Sequence, residues 1–119
     1  MSNHISWHVE LQVKPGQRDA FRAITSEMVE STKSEPGALI YERYLSDDGD
    51  IVHVFERYVD PNAALAHLTA FRRMFGERFS AMVDRKRFTV FGTPSVELKE
   101  VLDPLGATYV AALAGFSRM

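Results

Sequence analysis

Two residues near the middle of the chain, His67 and Glu56, have side chains that can move protons. An imidazole changes its charge near neutral pH, so His67 would serve as a base or a hydrogen-bond partner in a pocket. Glu56 lies on a predicted strand beside apolar same-face neighbours, where a carboxylate needs a partner or a raised pKa. It would then act in acid–base chemistry or orient His67.

Both residues also have purely structural explanations. His67 would be a histidine bonded to the sheet, with Glu56 as its partner. Glu56 would form an ion pair with an arginine such as Arg43 or Arg57, because buried carboxylates are usually paired. The sequence leaves these alternatives open.

Several aromatic side chains of the predicted strands and helices have the shape to stack on a flat ring. They are Trp7, Tyr41, Tyr44, Tyr58 and Phe71. Aromatics at strand and helix spacing also fill ordinary cores, so a core role is the alternative for each. Trp7 lies on the all-apolar face of the first strand, which should face the helices.

The remaining histidines do not predict a metal site. His4 and His8 share a strand face with Glu10, but a spacing of four residues on a strand holds the rings far apart. His53 adds no recognised ligand spacing, and the chain has no cysteine. We expect His8 and Glu10 to face the interior of a dimer.

Composition excludes several classes of function. The 119 residues fit a single domain spanning 1–119, and 45% hydrophobic residues suffice for a core. A net charge of −2 makes nucleic acid a poor partner. Without cysteine, thiolate nucleophiles and thiolate zinc sites are excluded. The sequence has no signal-peptide pattern and no membrane-length apolar run, so we expect a cytoplasmic protein without a membrane partner.

The elements that must position these side chains follow from the spacing of apolar residues. Asp48-Gly49 predicts a hairpin, and Asp60-Pro61 predicts the start of a helix that Gly76 bends or splits. The predicted elements are a strand at 4–13, a helix at 17–34, strands at 38–45 and 51–59, a second helix from 61, and a strand at 85–92.

This βαββαβ order predicts a ferredoxin-like α+β fold, an antiparallel sheet with helices on one face. The uncovered face also carries apolar and aromatic groups. Pairing two such sheets would bury both faces, so we expect a homodimer that forms a dimeric α+β barrel. Beyond the core, residues 95–101 are predicted to form a short fifth strand. Residues 103–119 are predicted to form an arm or an irregular helix.

Four motifs of the chain occur in a familiar order: Gly37 after the first helix, the Tyr41-Glu42 step, the Glu56-Arg57-Tyr58 strand end, and Ala66-His67-Leu68 on the second helix. Together they resemble the antibiotic biosynthesis monooxygenase domain family, whose relatives include small quinol monooxygenases. The resemblance covers about residues 5–92, so the family-like core is about 4–92. Residues 93–119 remain as a C-terminal extension that would serve as a dimer arm.

The resemblance implies a dimer with one pocket per subunit, between sheet and helices. It further implies a monooxygenase that oxidises a small aromatic or quinol-like substrate with O2, without metal, flavin or other cofactor. His67 would be the base or hydrogen-bond partner and Glu56 would orient it. The substrate ring would be held by Trp7, Tyr41, Tyr58 and Phe71.

Other activities occur in the same family. Haem-degrading members use an Asn, a Trp and a His at places that hold Val9, His67 and Glu77 here, so haem degradation is not expected. One alternative is a non-oxidative, isomerase-like enzyme on the same scaffold. Another is a ligand-binding or structural dimer without turnover, whose pocket would be filled by its own aromatic side chains.

Overall fold

The computed structural model describes residues 3–118, and residues 1–2 and 119 of the predicted domain and tail lie outside the described residues. The elements are β1 Ile5–Val13, α1 Arg18–Lys33, β2 Ala38–Leu45, β3 Ile51–Tyr58, α2 Pro61–Phe71, α3 Glu77–Met82, β4 Val83–Phe91, α4 Val96–Leu102 and β5 Thr108–Val110. A π-helical turn, Arg72–Gly76, joins α2 to α3, and a 3-10 turn, Asp103–Leu105, follows α4.

The five strands form one sheet in the order β2-β3-β1-β4-β5. The pairs among β1 to β4 are antiparallel, whereas β5 runs parallel to β4. The order of the first four strands, connected through α1 and α2, confirms the predicted ferredoxin-like α+β fold. The sheet is mixed rather than purely antiparallel, because the segment after α4 adds β5 at the β4 edge.

The helices cover one face of the sheet. The five odd-numbered residues of β1 are buried on that face, and so are the even-numbered residues of β3. They pack against Phe21, Ile24 and Met28 of α1 and against Leu98 and Leu102 of α4. The opposite face stays half-buried or exposed, as the alternation of strand side chains requires.

The predicted strand at 95–101 is wrong, since these residues form α4. Ser95 Oγ accepts a hydrogen bond from the Leu98 N–H at 3.2 Å, which caps the helix. Leu98 and Leu102, four residues apart, are both fully buried. Helical spacing and the cap therefore decide the conformation of this segment. Residues 103–110 contain the 3-10 turn and β5 instead of the predicted irregular helix, and residues 111–118 have no helix or strand. The role of this segment as a dimer arm stays a prediction.

The predicted break at Gly76 takes the form of the π-helical turn. A second glycine, Gly37, allows the loop before β2 to lie against α2. A Cβ atom at Gly37 would lie only 2.6 Å from Ala63 Cβ. The chain therefore depends on a glycine at this contact.

The pairing of β1 with β4 contains a β-bulge. Glu10 lies opposite Arg87, but the next residue, Leu11, lies opposite Arg85. Lys86 is therefore the extra residue, and Arg85 takes the helix-facing side that Lys86 would occupy in a regular strand.

Candidate active site

A cavity of about 400 Å³ lies between the sheet and the helices. The sheet supplies one wall from β1, β2, β3 and β4, and the segment from α2 to α3 supplies the other. Val101 and Leu105, from the C-terminal extension, complete the lining. Its aromatic members are Trp7, Phe71, Phe79 and Phe88.

Glu56 is the anchored carboxylate of this cavity, and its side chain is only 7% exposed. Its Oε1 accepts hydrogen bonds from Trp7 Nε1 at 3.0 Å and from the Tyr58 hydroxyl at 2.7 Å. Its Oε2 accepts from Arg43 Nη2 at 2.6 Å. Three donors, one of them charged, offset the cost of burying the carboxylate.

Arg43 is therefore the ion-pair partner that the structural explanation of Glu56 requires. Arg57 lies on the opposite face of the sheet and donates to Ser6 Oγ at 2.8 Å. The Arg43 guanidinium also stacks on the Tyr41 ring, 3.4 Å from its centroid. Its Nη1 atom is buried without a hydrogen-bond partner within residues 3–118.

His67 lies between two carboxylates. Its Nδ1 atom donates to Glu35 Oε1 at 2.9 Å, and its Nε2 atom lies 3.6 Å from Glu56 Oε1. The side chain is 5% exposed and forms part of the cavity lining. Glu35 therefore fixes the ring orientation and leaves Nε2 on the side of Glu56.

The rings of two tyrosines pack against His67 without forming part of the cavity lining given above. The Tyr41 ring meets His67 edge-on, with centroids 5.4 Å apart, and the Tyr58 centroid is 5.0 Å from that of His67. Burial, followed by the negative charge of Glu56, raises the pKa of Tyr41 to about 12. The same two causes raise the pKa of Tyr58 further above its ordinary value. Both hydroxyls therefore keep their protons, as donation from Tyr58 to Glu56 requires.

The structure brings four of the six predicted site residues to the cavity wall: His67, Glu56, Trp7 and Phe71. Tyr41 and Tyr58 lie outside the lining that the described residues form, behind Glu56 and His67. The fifth candidate aromatic, Tyr44, lies on the opposite sheet face against Phe55.

Sequence reasoning missed three contributors: Glu35, Arg85 and the extension. Glu35 lies in the loop after α1. The packing of that loop on α2 at Gly37 brings Glu35 to His67, which lies one helical turn beyond Ala63. Arg85 enters the cavity because of the bulge, which the sequence does not signal. The apolar residues Leu98, Val101 and Leu102 have helical spacing, which would have predicted α4 in the extension.

The histidines on the open face form a pair rather than a metal cluster. His8 Nε2 and His53 Nδ1 lie 3.0 Å apart, and the two rings are parallel within 3°. Burial, and then the nearby His53, lower the pKa of His8. Within residues 3–118, no three His, Asp or Glu side chains are grouped to hold a metal ion.

The order of strands and the cavity beneath the helices define a small ferredoxin-like α+β domain with a ligand-sized site. Over residues 3–118, the helices are too short or too polar to cross a membrane. The model of the antibiotic biosynthesis monooxygenase family matches residues 5–85. The chain belongs to this family.

Individual relatives agree with that assignment. Rv0793 of Mycobacterium tuberculosis (strain ATCC 25618 / H37Rv), named as a candidate monooxygenase, is 29% identical over 82 residues, which are 65% of this chain and 81% of that protein. The structure of MupZ from Pseudomonas fluorescens superposes with a TM-score of 0.85 at 24% identity, covering 98% of this chain and 96% of MupZ.

SnoaB from Streptomyces nogalater, described as a cofactor-independent oxygenase, superposes with a TM-score of 0.67 at 12% identity, covering 80% of this chain and 97% of SnoaB. The superposition on MupZ leaves only 2% of this chain uncovered, so it includes most of the C-terminal extension. The fold of the extension is therefore shared with MupZ.

Proposed function

We propose that the protein is a cofactor-independent monooxygenase that oxidises a small aromatic or quinol-like substrate with O2. The observation that carries this proposal is a buried histidine held between two carboxylates at the wall of an aromatic-lined cavity. Family membership and the cofactor-independent relative support the reaction type. The cysteine-free chain suits the reducing cytoplasm, where we place it.

His67 is the proposed base. With Nδ1 donating to Glu35, Nε2 carries the lone pair that takes a proton from a phenolic hydroxyl or an activated carbon. The imidazolium that forms lies within 3.6 Å of Glu56 and 2.9 Å of Glu35, so its positive charge is stabilised on both sides. Glu35 therefore takes the orienting role that the sequence alone assigned to Glu56.

The remaining steps need only substrate and O2. The substrate anion passes one electron to O2, which gives a substrate radical and superoxide. These combine at carbon and take up a proton, forming a hydroperoxide. Loss of water then leaves a carbonyl, so a C–H carbon opposite a phenol becomes a quinone carbonyl. One oxygen atom enters the product and the other leaves as water, with no external reductant.

Trp7 and Phe71 are the proposed ring contacts, since both line the cavity beside His67. Tyr41 and Tyr58 act through Arg43 and Glu56 in this proposal. The cavity of about 400 Å³ has room for a small aromatic ring system. A protein whose pocket is filled by its own aromatics would have no such space, so the structural alternative has less support.

Oxygen uptake tests the proposal directly. Metal-stripped protein is mixed with a panel of quinols and polyphenols, and uptake is compared with spontaneous autoxidation. We expect enhanced uptake with at least one compound, and oxygen from ¹⁸O2 in its product. His67→Ala should lower the rate by about 10²- to 10⁴-fold, the usual contribution of a general base.

His4→Ala is the matched control, because it removes an imidazole that lies outside this cavity. Uptake that survives in His67→Ala would remove this residue from the mechanism. Conversion of a compound at an equal rate under argon would instead favour the isomerase-like alternative.

We also propose that the protein is a homodimer that buries the open face of the sheet. Phe55, Tyr44, Phe91 and Val110 are all exposed there, and they lie on four of the five strands. Exposed aromatic groups on one continuous surface are typical of an interface. A second copy of the chain presents the same surface, as a two-fold contact requires.

A further inference from the structure

Three charged side chains line the cavity in addition to the paired groups described above. They are Arg72, Glu77 and Arg85. Within residues 3–118, none of these side chains makes a hydrogen bond or an ion pair. These three side chains, two positive and one negative, therefore contribute a net charge of +1 to the lining of the cavity.

The β-bulge places Arg85 in this position. In a regular β4 strand, Lys86 would lie opposite Leu11 and face the helices. The shift in register puts Arg85 there instead and leaves Lys86 as the extra residue of the bulge. Bulges recur beside functional sites, where they redirect a side chain.

Arg85 is crowded but still accessible. The residue is exposed to solvent, as a group that meets an entering ligand must be. Desolvation by its neighbours nevertheless lowers its pKa, so part of its hydration is already lost. A partly desolvated guanidinium gains more interaction free energy from an anionic partner than a fully hydrated one does.

Arg72 and Glu77 are less suited to select an anion. They are near neighbours at the junction of the π-helical turn and α3, so the carboxylate weakens the field of the guanidinium. Arg85 lies on the opposite wall, anchored by the sheet. The strand fixes the direction in which the Arg85 side chain leaves the sheet, and its planar guanidinium can make two parallel hydrogen bonds to a carboxylate.

We propose that Arg85 binds a carboxylate on the substrate, so that the ligand is a hydroxylated aromatic acid rather than a neutral phenol or quinol. The inference rests on the proposed function for the aromatic ring and adds the acidic group. The carboxylate lies against Arg85 on β4, while the ring extends toward His67 between Trp7 and Phe71.

Binding without turnover tests this inference. Hydroxylated benzoates, cinnamates and naphthoates are titrated into the protein under argon by calorimetry, each beside its neutral methyl ester. We expect at least one acid to bind about tenfold to a hundredfold more tightly than its ester, as for a charged hydrogen-bonded pair. Arg85→Gln should abolish the preference, and Arg85→Lys should retain part of it.

Lys86→Gln is the matched control, since it removes the same charge from the adjacent position outside the cavity. Arg72→Gln tests the competing guanidinium. The proposal fails if no acid binds more tightly than its ester, if Arg85→Gln keeps the preference, or if Arg72→Gln alone removes it. Circular dichroism of each variant establishes that it folds.

The two proposals fail in different ways. An acid preference that depends on Arg85, without any oxygen uptake, would support the acid-binding role and overturn the monooxygenase. Oxygen uptake by a neutral quinol, with an unchanged rate in Arg85→Gln, would support the monooxygenase and overturn the acid-binding role.

Discussion

At the scale of single residues, Glu56 contributes both to the stability of the fold and to the proposed chemistry. It holds Trp7 and Tyr58 in the wall of the cavity, and it neutralises Arg43. Its nearest oxygen is also 3.6 Å from His67 Nε2. The same carboxylate therefore satisfies three donors of the resting protein and faces the atom that would take up a proton.

Replacing Glu56 should destabilise the protein strongly. In Glu56→Ala the Arg43 charge stays buried without its partner, which costs about 3 to 5 kcal/mol. Urea unfolding at pH 7 measures the loss. Glu30→Ala, which breaks an exposed pair with Lys33, should change the free energy of unfolding by about 1 kcal/mol or less. Equal losses in the two variants would contradict the anchoring role.

The sequence predicted contact between His67 and Glu56, because a carboxylate among apolar same-face neighbours on a strand needs a partner. It also offered Arg43 as an ion-pair partner. It could not predict Glu35, whose distance from His67 depends on how a loop packs against a helix. Contacts of this kind are set by tertiary packing and leave no local pattern.

At the scale of elements, the geometry of the site depends on a loop that packs closely against a helix. The Gly37 loop lies against Ala63 of α2, and this contact brings Glu35 to His67. Gly76 is also a glycine, but its surroundings differ from those of Gly37. It has helical dihedral angles, and a Cβ there would have no atom nearer than 3.7 Å among those compared.

The same substitution should therefore have opposite effects at the two glycines. Gly37→Ala overlaps with Ala63 and should destabilise the protein by about 1 to 3 kcal/mol. Gly76→Ala should stabilise it by about 0.5 to 1 kcal/mol, because alanine has less freedom to lose on folding. Thermal unfolding followed by circular dichroism gives both values. A stabilising Gly37→Ala would mean that α2 can move away from the loop.

Regular elements were largely predictable, and irregular ones were not. Alternation in β1 and the Asp60-Pro61 helix start follow from local rules, and Asp60 indeed caps α2 by accepting from the Ala63 N–H at 2.8 Å. No glycine or proline adjoins Lys86, so the sequence does not predict the bulge. The composition of 95–101 fits either a strand or a helix, and the Ser95 cap is the signal that distinguishes the two.

At the scale of the whole molecule, the open face of the sheet carries the dimer prediction. Light scattering after size exclusion should give twice the 13.5 kDa of one chain. Phe55→Glu places a charge on the proposed interface and should give monomers. Met74→Glu, at 42% exposure against 44% for Phe55, alters the helical layer and should leave the dimer intact. A monomeric wild-type protein would contradict the prediction.

The C-terminal extension has a consequence for how this cavity can diversify. Val101 and Leu105 belong to a segment outside residues 5–85, whereas His67, Glu56 and Glu35 lie within them. The proposed proton-transfer groups and part of the cavity surface thus lie in separate stretches of the sequence. Insertions or exchanges after residue 92 can reshape that wall without disturbing those groups, so under the proposed function new substrate preferences can arise while the chemistry is inherited unchanged.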